Sequence, residues 1–125
     1  MTKITAALCG NPNSGKTTLF NRLTGSNQKV GNWAGVTVER KHGVCVLNRD
    51  ITITDTPGVY SLTPYSLDEQ ITVDYLNSAK PDLIINIVDA TNLERNLLLT
   101  TQLLDTDIPV VVALNLKDEA EAKGI

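Results

Sequence analysis

Apolar residues in the first part of the chain follow two successive patterns. The first predicts a strand and the second a helix. Residues 4–8 form a short apolar run typical of a strand. Leu19, Phe20 and Leu23 then recur at helical spacing before Gly25, a residue type that commonly ends helices. The first elements are therefore predicted to be a strand, a connecting loop and a helix.

The next part of the chain predicts a long loop and then a hairpin. Residues 26–37 lose the apolar pattern and are rich in Gly and Asn, which indicates a loop. Residues 38–47 and 51–54 are typical of two strands that flank a turn at residues 48–50. A hairpin places one antiparallel strand at the edge of the sheet.

A second helix is predicted after another loop. Residues 58–67 carry no periodic apolar pattern, and Asp68 can cap a helix that contains Ile71 and Tyr75. The sequence Lys-Pro-Asp at residues 80–82 interrupts the helical pattern, so the helix is expected to end there.

The last part of the chain predicts a buried strand, a helix and another strand. Residues 83–88 are apolar and predict a buried strand, and residues 93–104 have helical spacing with Leu97 and Leu104 on one face. Residues 109–114 form a nearly continuous apolar run, which suits a parallel strand covered on both faces. Strands alternating with helices predict an α/β fold with a doubly wound, mainly parallel sheet.

Composition narrows the class of protein. The chain has 125 residues, of which 42% are hydrophobic and 20% are charged, so one domain over residues 1–125 is expected. The net charge of −3 argues against nucleic acid as a partner. No apolar run approaches the ~20 residues of a membrane-spanning helix, which favours a cytosolic location for this piece. Cys9 and Cys45 are expected to be reduced core thiols.

The sequence GNPNSGKT at residues 10–17 matches the phosphate-binding pattern G-x-x-x-x-G-K-[ST] between a predicted strand and a predicted helix. Gly10 and Gly15 would let the backbone turn tightly and approach a phosphate group. Lys16 would add the compensating positive charge, and the Thr17 hydroxyl would bind Mg²⁺. A Gly-rich loop that merely connects two elements is the alternative, and the predicted strand and helix around the loop disfavour it.

Asp55 follows a predicted strand, at the sheet edge where ligands of open α/β sheets bind. Its carboxylate could hold Mg²⁺ through a water molecule, while the N–H group of Gly58 could contact the terminal phosphate. The sequence Asp-Thr-Pro-Gly at residues 55–58 is also typical of a simple turn. Its presence together with the phosphate loop favours the functional interpretation.

The last strand is followed by Asn-Leu-Lys-Asp at residues 115–118. The carboxylate of Asp118 can accept hydrogen bonds from the N1–H and the exocyclic amine of guanine, which adenine cannot donate in this arrangement. This pattern therefore favours GTP over ATP. A helix cap after a strand is the alternative interpretation of Asp118.

Three further segments carry a resemblance to a known family: VGNWAGVTVER at residues 30–40, SLDEQ at 66–70 and DATNLERNL at 89–97. With them, the chain resembles the G domain of the bacterial ferrous iron transport protein B family from residue 3 to its end. The resemblance implies a Ras-like P-loop GTPase fold that lacks the last strand and helix. It also implies a GTPase at the cytoplasmic face of the bacterial inner membrane, joined to a helical regulatory domain and a membrane domain that takes up Fe²⁺.

The resemblance also assigns roles to individual residues. Residues 26–37 would be the first switch and residues 58–67 the second, with Thr37 closing on Mg²⁺ and the γ-phosphate. Asn13 would help to coordinate K⁺, together with main-chain carbonyl groups of Gly31 and Trp33. K⁺ would neutralise charge that develops in the transition state. Asn13 could instead be a turn-forming residue, and Trp33 could be a core residue.

The complete set of predicted site residues has three groups. The predicted catalytic residues are Asn13, Lys16, Thr37 and Gly58. The predicted Mg²⁺ ligands are Thr17, Thr37 and Asp55. The predicted contacts to GTP or GDP are Gly10, Asn11, Pro12, Asn13, Ser14, Gly15, Lys16, Thr17, Thr18, Gly35, Val36, Thr37, Asp55, Thr56, Pro57, Gly58, Asn115 and Asp118.

Two positions depart from the usual GTPase pattern. Leu116 stands where most GTPases have Lys in the guanine-binding motif, so fewer contacts with the guanine ring are expected. Val59 stands where many GTPases have a Gln that orients the attacking water, so backbone groups near Thr37 are expected to hold that water.

The predicted activity is slow, Mg²⁺-assisted hydrolysis of GTP in a domain that regulates ferrous iron uptake. A second hypothesis is a nucleotide-gated regulatory module in which turnover is incidental. A third, a GTPase of ribosome assembly, is disfavoured by the acidic charge and by the three segments above. Oligomerisation is left open by the sequence.

Overall fold

The computed structural model describes residues 3–25 and 27–115, and these residues form one six-stranded sheet with helices packed on it. The strands are β1 (Ile4–Gly10), β2 (Gln28–Asn32), β3 (Glu39–Val44), β4 (Ile51–Asp55), β5 (Leu83–Asp89) and β6 (Val110–Asn115). The helices are α1 (Lys16–Thr24), α2 (Leu67–Ala79) and α3 (Leu93–Leu104), with a short 3₁₀ turn at Ala90–Asn92.

The strand order β2-β3-β4-β1-β5-β6 confirms the predicted α/β fold with a mainly parallel sheet. β4, β1, β5 and β6 pair in parallel, whereas β3 pairs antiparallel with both β2 and β4. β1 lies between β4 and β5 in the sheet. In open α/β sheets, a crevice forms at the carboxyl ends of the strands where the connections of neighbouring strands diverge. Ligands of open α/β sheets bind at this kind of position.

Residues of β1 alternate between two apolar clusters on opposite faces of the sheet. Ala6 and Leu8 pack with Phe20 of α1 on one face. Ala7 and Cys9 pack on the other face, in a cluster that includes residues of α2 and α3. Because successive side chains of a strand point to opposite faces, a strand buried on both sides reads as a continuous apolar run.

The structure corrects the predicted start of α2. Ser66, and not Asp68, is the N-terminal cap, because its Oγ accepts a hydrogen bond from the N–H of Glu69. The Oγ of Ser66 also donates to the carboxylate of Glu69 at 2.7 Å. The Ser-x-x-Glu spacing forms a capping arrangement that leaves Asp68 inside the first turn. The helix ends at Ala79, and its C-terminal cap, Lys80, has the left-handed backbone conformation.

The structure also corrects the predicted loop over residues 26–37. Residues Gln28–Asn32 form the edge strand β2, which is hydrogen-bonded to β3 in antiparallel register, with Gly31 opposite Arg40. Four of its five residues are exposed, so the strand buries no apolar face that a sequence pattern could indicate.

Two predictions about buried faces differ from the structure. Leu97 and Leu104 share a face of α3, but both are exposed, and the buried apolar residues of this helix are Leu99 and Leu103. β6 is an edge strand in which Val112 is 50% exposed, so it is not covered on both faces by the described residues. Among the described residues, no helix is long and apolar enough to cross a membrane.

Candidate nucleotide-binding site

The loop between β1 and α1 has the backbone shape that phosphate binding requires. Gly15 has a φ of +95° and precedes α1, while Asn13 has a φ of +62°. Gly15 provides no side-chain cap, so no side chain at that position occupies the first N–H groups of α1. These groups and the positive end of the helix dipole are therefore available to an anion.

The two glycines of the loop are also required by close packing. A Cβ atom at Gly10 would lie 2.6 Å from Cγ2 of Ile87 and 3.0 Å from its carbonyl oxygen. A Cβ atom at Gly15 would collide with the side-chain amide of Asn115. That amide donates a hydrogen bond to the carbonyl oxygen of Ser14 at 2.9 Å, so the end of β6 supports the phosphate loop.

Lys16 of the phosphate loop contacts Asp55 at the end of β4. The Nζ of Lys16 donates a hydrogen bond to a carboxylate oxygen of Asp55, and the two side chains are 11% and 14% exposed. Lys16 begins α1 and Asp55 ends β4, so neighbouring carboxyl ends of the sheet bring the two charges together. The site thus combines a cation with a carboxylate, a group of the kind that holds metal ions.

The start of the segment predicted to be the second switch packs directly on the phosphate loop. The N–H of Val59 donates a hydrogen bond to the carbonyl oxygen of Gly10 at 3.1 Å. A Cβ atom at Gly58 would lie 3.0 Å from Cα of Pro12, so only glycine fits at this distance without a shift of the loop. The backbone of Gly58 is therefore adjacent to the predicted phosphate position.

An open cleft of about 640 Å³ lies over these residues. It is lined by Asn11, Pro12, Asn13, Gly15, Lys16, Thr17, Thr18, Gly58 and Asp68. Eight of these residues belong to the set predicted from the sequence, and the structure brings them together. Asp68 was predicted only as a helix cap, and its place in the cleft follows from the Ser66 cap, which puts residue 68 in the first turn of α2.

Two side chains of the phosphate loop carry buried polar atoms without a partner among the described residues. Asn11 is 3% exposed and Ser14 is 1% exposed, and their side-chain polar atoms have no hydrogen-bond partner among the described residues. Buried polar groups are normally paired with protein or with bound molecules. Unpaired buried groups within the glycine-rich loop agree with a site that is completed by a polar ligand.

The described residues of the segment predicted to be the first switch do not line the cleft. Thr37 is exposed, as are Gly31 and Gly35, and none of the three lines the cleft. Val36 is partly buried against the apolar cluster of α2 and α3, and the Trp33 side chain is a buried member of that cluster. The side chain of Trp33 thus has the core position that was one of its two predicted alternatives.

Three neighbouring residues have buried side chains that serve the fold. The Thr56 hydroxyl donates a hydrogen bond to the carbonyl oxygen of Leu8 at 2.8 Å and lies 3.5 Å from the Sγ of Cys9. Burial raises the pKa of the Cys9 thiol to about 11, against an ordinary value of 9.0. Val59 is 3% exposed and packs in the core. Cys9 and Cys45 are both free thiols, as predicted.

The predicted guanine contact at Asp118 lies outside the described residues, as does Leu116. Asn115 is the last described residue of that motif, and it ends β6 opposite Asp89 of β5. Pro57 lies between the ion-paired Asp55 and Gly58 and does not line the cleft.

Comparisons of sequence identify relatives of the chain. A family model described as "Ferrous iron transport protein B" matches residues 4–125. The chain is 60% identical over 130 residues to the Fe(2+) transporter FeoB of Escherichia coli K12, and 58% identical over 130 residues to that of Salmonella typhimurium LT2. Each alignment covers 100% of this chain and 17% of the relative, so the chain spans less than a fifth of the relatives' length.

Solved structures of similar sequence have the same fold. A mutant of S. thermophilus NFeoB bound to GDP has a TM-score of 0.92 and 58% identity, and the match covers 100% of this chain and 48% of that one. The mGMPPNP-bound NFeoB from S. thermophilus has a TM-score of 0.82 and 60% identity, with coverage of 96% and 46%. The cytosolic domain of L. pneumophila FeoB has a TM-score of 0.90 and 57% identity, with coverage of 96% and 48%. The chain belongs to the ferrous iron transport protein B family.

Proposed function

We propose that this chain binds GTP and GDP and hydrolyses GTP slowly. The observation that carries the proposal is the meeting of Lys16 and Asp55 under an uncapped helix start, in a loop whose glycines admit no side chain. GDP and mGMPPNP in structures of relatives that are about 60% identical support a guanine nucleotide. All the residues of this arrangement belong to the described part of the chain.

The phosphate loop would bind and position the nucleotide. Backbone N–H groups from Asn13 to Thr18 would surround the β-phosphate, and Lys16 would leave Asp55 to contact the β- and γ-phosphates. Gly58 would donate its N–H to the γ-phosphate, which requires a small movement of the second switch because Gly58 now packs on Pro12. The presence of the γ-phosphate would thereby alter the second switch.

The donor groups of the site fit Mg²⁺. Thr17 would supply its hydroxyl, Asp55 would hold the ion through a water molecule once Lys16 has turned to the phosphates, and Thr37 would join them when the first switch closes. Bound Mg²⁺ would neutralise charge on the β- and γ-phosphate oxygens. Thr37 is exposed and outside the cleft, so closure of the first switch is a required step.

The attacking water would be held without a side chain from position 59. Val59 is apolar and packs in the core, so its side chain offers no polar contact to the cleft. Backbone groups around Thr37 would orient the water instead. Asn13 and the main-chain carbonyls of Gly31 and Trp33 would hold K⁺, which would supply positive charge as an arginine finger does in other GTPases.

Guanine recognition would come from the end of β6 and the residues that follow it. Asn115 already supports the phosphate loop through Ser14, and Asp118 would accept hydrogen bonds from the guanine ring. A buried site that accepts hydrogen bonds from both the N1–H and the exocyclic amine of guanine rejects a base that lacks these donors. Gly35, Val36, Thr56 and Pro57 would contribute contacts only after the switches have moved.

The domain would act within a longer protein. The relatives are Fe(2+) transporters of which this chain covers 17%. We propose that residues 1–125 are part of a G domain at the cytoplasmic face of the bacterial inner membrane. In this arrangement the domain would regulate ferrous iron uptake through helical regulatory and membrane domains.

Two measurements together test this proposal. Isothermal titration calorimetry with GTP, GDP and ATP tests the site, and tighter binding of both guanine nucleotides than of ATP is expected. Phosphate release measured in parallel tests the reaction. Tight GTP binding with no phosphate release above the uncatalysed rate would contradict the hypothesis that the chain is a GTPase. It would support the hypothesis of a nucleotide-gated regulatory module.

A further inference from the structure

We propose that Asp68 is a specificity-determining residue of the cleft, which disfavours a third phosphate and thereby weakens the binding of GTP relative to GDP when no divalent cation is bound. This inference deepens the proposed function and rests on it, since it concerns the choice between two nucleotides at the same site. Asp68 lies in the first turn of α2, outside the phosphate loop, and lines the cleft over that loop.

The charges of the cleft are not balanced. Two of the residues that line it are charged, Lys16 and Asp68. Lys16 is paired with Asp55, whereas the exposed side chain of Asp68 makes no hydrogen bond or ion pair with any residue that the structure describes. The cleft therefore holds a negative charge that no ion pair within the described part of the chain neutralises.

Contacts of the neighbouring Glu69 determine on which side of the cleft Asp68 lies. The carboxylate of Glu69 accepts hydrogen bonds from the hydroxyl groups of Ser61 at 3.2 Å and of Ser66 at 2.7 Å. Ser61 lies three residues after Gly58, so the first turn of α2 is tied to the segment that begins at Gly58. Gly58 and Asp68 line the same cleft, and the tie places Asp68 on the side that Gly58 lines.

The side of the cleft near Gly58 is where a third phosphate would lie. The start of α1 and Lys16 would hold the first two phosphates, and the N–H of Gly58 would contact the γ-phosphate. Gly58 is close to the phosphate loop, because a Cβ atom there would lie 3.0 Å from Cα of Pro12. The carboxylate of Asp68 would therefore repel the γ-phosphate more strongly than the other two phosphates.

A purely structural role of Asp68 makes a different prediction. Acidic residues in the first turn of a helix interact favourably with the helix dipole, and both Asp68 and Glu69 occupy that turn of α2. A residue that only stabilises this helix would affect the binding of GDP and GTP equally. The ratio of the two affinities therefore separates the proposed role from helix stabilisation.

A divalent cation would reduce the repulsion. Mg²⁺ bound between the β- and γ-phosphates would be attracted to the carboxylate of Asp68 while it neutralises the phosphate oxygens. Asp68 would thus make the binding of GTP depend on Mg²⁺ more than the binding of GDP does. Because Asp68 does not contact Lys16, its removal is not expected to free Lys16 for the phosphates of GDP.

The experiment compares Asp68→Asn with the parent chain by fluorescence titration of mGDP and mGMPPNP, a triphosphate analogue that resists hydrolysis. In EDTA at low ionic strength, the affinity for mGMPPNP relative to mGDP is expected to rise about 2- to 10-fold in the variant. At a salt concentration of ~1 M, where charges are screened beyond about 3 Å, the difference between variant and parent should disappear. In Mg²⁺ the difference should be smaller than in EDTA.

Matched variants control for charge and for folding. Asp74→Asn removes the same charge from the same helix, at a residue that accepts a hydrogen bond from Gln70 at 2.8 Å and does not line this cleft. It is expected to keep the parent ratio of affinities, as is Asp68→Glu, which keeps the charge. Thermal unfolding without nucleotide shows whether each variant is folded. If Asp68→Asn does not fold, Asp68→Gln removes the same charge with a longer side chain.

The outcomes distinguish this inference from the proposed function. Tight binding of both nucleotides with the same affinity ratio in the parent and in Asp68→Asn would overturn the inference and leave the proposed nucleotide site intact. An equal gain of affinity for mGDP and mGMPPNP, or a changed ratio that persists at high salt, would also overturn it. A parent chain that binds neither nucleotide would overturn the proposed function, and the inference with it.

Discussion

The ammonium group of Lys16 is paired with the carboxylate of Asp55, so two residues proposed for different ligands contact each other directly. Lys16 is proposed to bind the phosphates and Asp55 to hold Mg²⁺. Each of them must exchange this partner for its ligand when nucleotide and metal arrive together. The pair keeps both charges neutralised while they are mostly buried. If the proposed roles hold, it would also make nucleotide binding and metal binding depend on each other.

Replacing Lys16 by Ala is expected to abolish nucleotide binding, because the charge at the β- and γ-phosphates is lost. It would also leave Asp55 unpaired at 14% exposure, so the free energy of unfolding should fall by ~1–3 kcal/mol. The double variant Lys16→Ala with Asp55→Asn should recover stability without recovering binding. Calorimetry and thermal unfolding measure the two effects, and near-parent GTP affinity in either variant would contradict the phosphate-loop assignment.

Replacing Asp55 by Asn alone should have opposite effects with and without Mg²⁺. In EDTA, Lys16 no longer has to leave a carboxylate, so GDP affinity should rise on the order of tenfold, which corresponds to about 1.4 kcal/mol. When Mg²⁺ replaces EDTA, the GDP affinity of the variant should rise little further, because the variant lacks the proposed contact between Asp55 and the metal. Fluorescent GDP titrations in both buffers check this. A variant that keeps the parent's full gain from Mg²⁺ would show that Asp55 does not serve the metal.

Replacing Asp118 by Asn should weaken GTP binding and relax the choice of base. A site that pairs both donor groups of guanine can reject analogues by ~10⁴ or more, and Asn places a donor against a donor. ITP lacks the exocyclic amine, so the parent should bind ITP more weakly than GTP. The variant should bind the two with similar affinity. Competition titrations measure these ratios, and a parent that binds ATP as tightly as GTP would exclude a guanine site.

The phosphate loop and the parallel core were predictable because their sequence signals are local. Helix α3 has the predicted bounds Leu93–Leu104, and eight predicted residues line the cleft. Glycines at fixed spacing and continuous apolar strands leave few alternatives to this arrangement.

The edge strand β2 could not be predicted from the pattern of apolar residues. β2 is stabilised by backbone hydrogen bonds to β3 and has almost no buried side chain, so its residues resemble a loop. Asp68 lies in the first turn of α2 and lines the cleft, although the sequence predicted it only as a helix cap. The contact of Trp33 with Arg40 joins residues whose sequence separation gives no sign that their side chains stack.

The buried thiol of Cys9 should make stability depend on pH above the neutral range. Its pKa is raised from 9.0 in the unfolded chain to about 11 in the fold, because burial disfavours the thiolate. The unfolded state therefore releases this proton first. Stability is unaffected by Cys9 below pH 9 and should fall as the pH rises from about 9 to about 11.

Urea unfolding between pH 8 and pH 11 measures this effect in the parent and in Cys9→Ala. The variant should lose less stability over that range, because it has no thiol that titrates at this position. Cys45→Ala, which removes the other buried thiol, is the control for the loss of a buried cysteine side chain. Equal slopes in the parent and in Cys9→Ala would contradict the raised pKa.

The last prediction concerns Asn13, which has a left-handed backbone at the rim of the cleft. A residue needed only for the turn could be Gly, so Asn13→Gly should leave the loop intact, while both Asn13→Gly and Asn13→Ala remove the proposed side-chain ligand of K⁺. The parent should hydrolyse GTP faster in K⁺ than in Na⁺ at equal ionic strength. An arginine finger is worth ~10³–10⁵ in rate, and a weakly held ion should give less. Both variants should lose the K⁺ stimulation while GDP binding persists. Full K⁺ stimulation in Asn13→Gly would show that Asn13 only forms the turn.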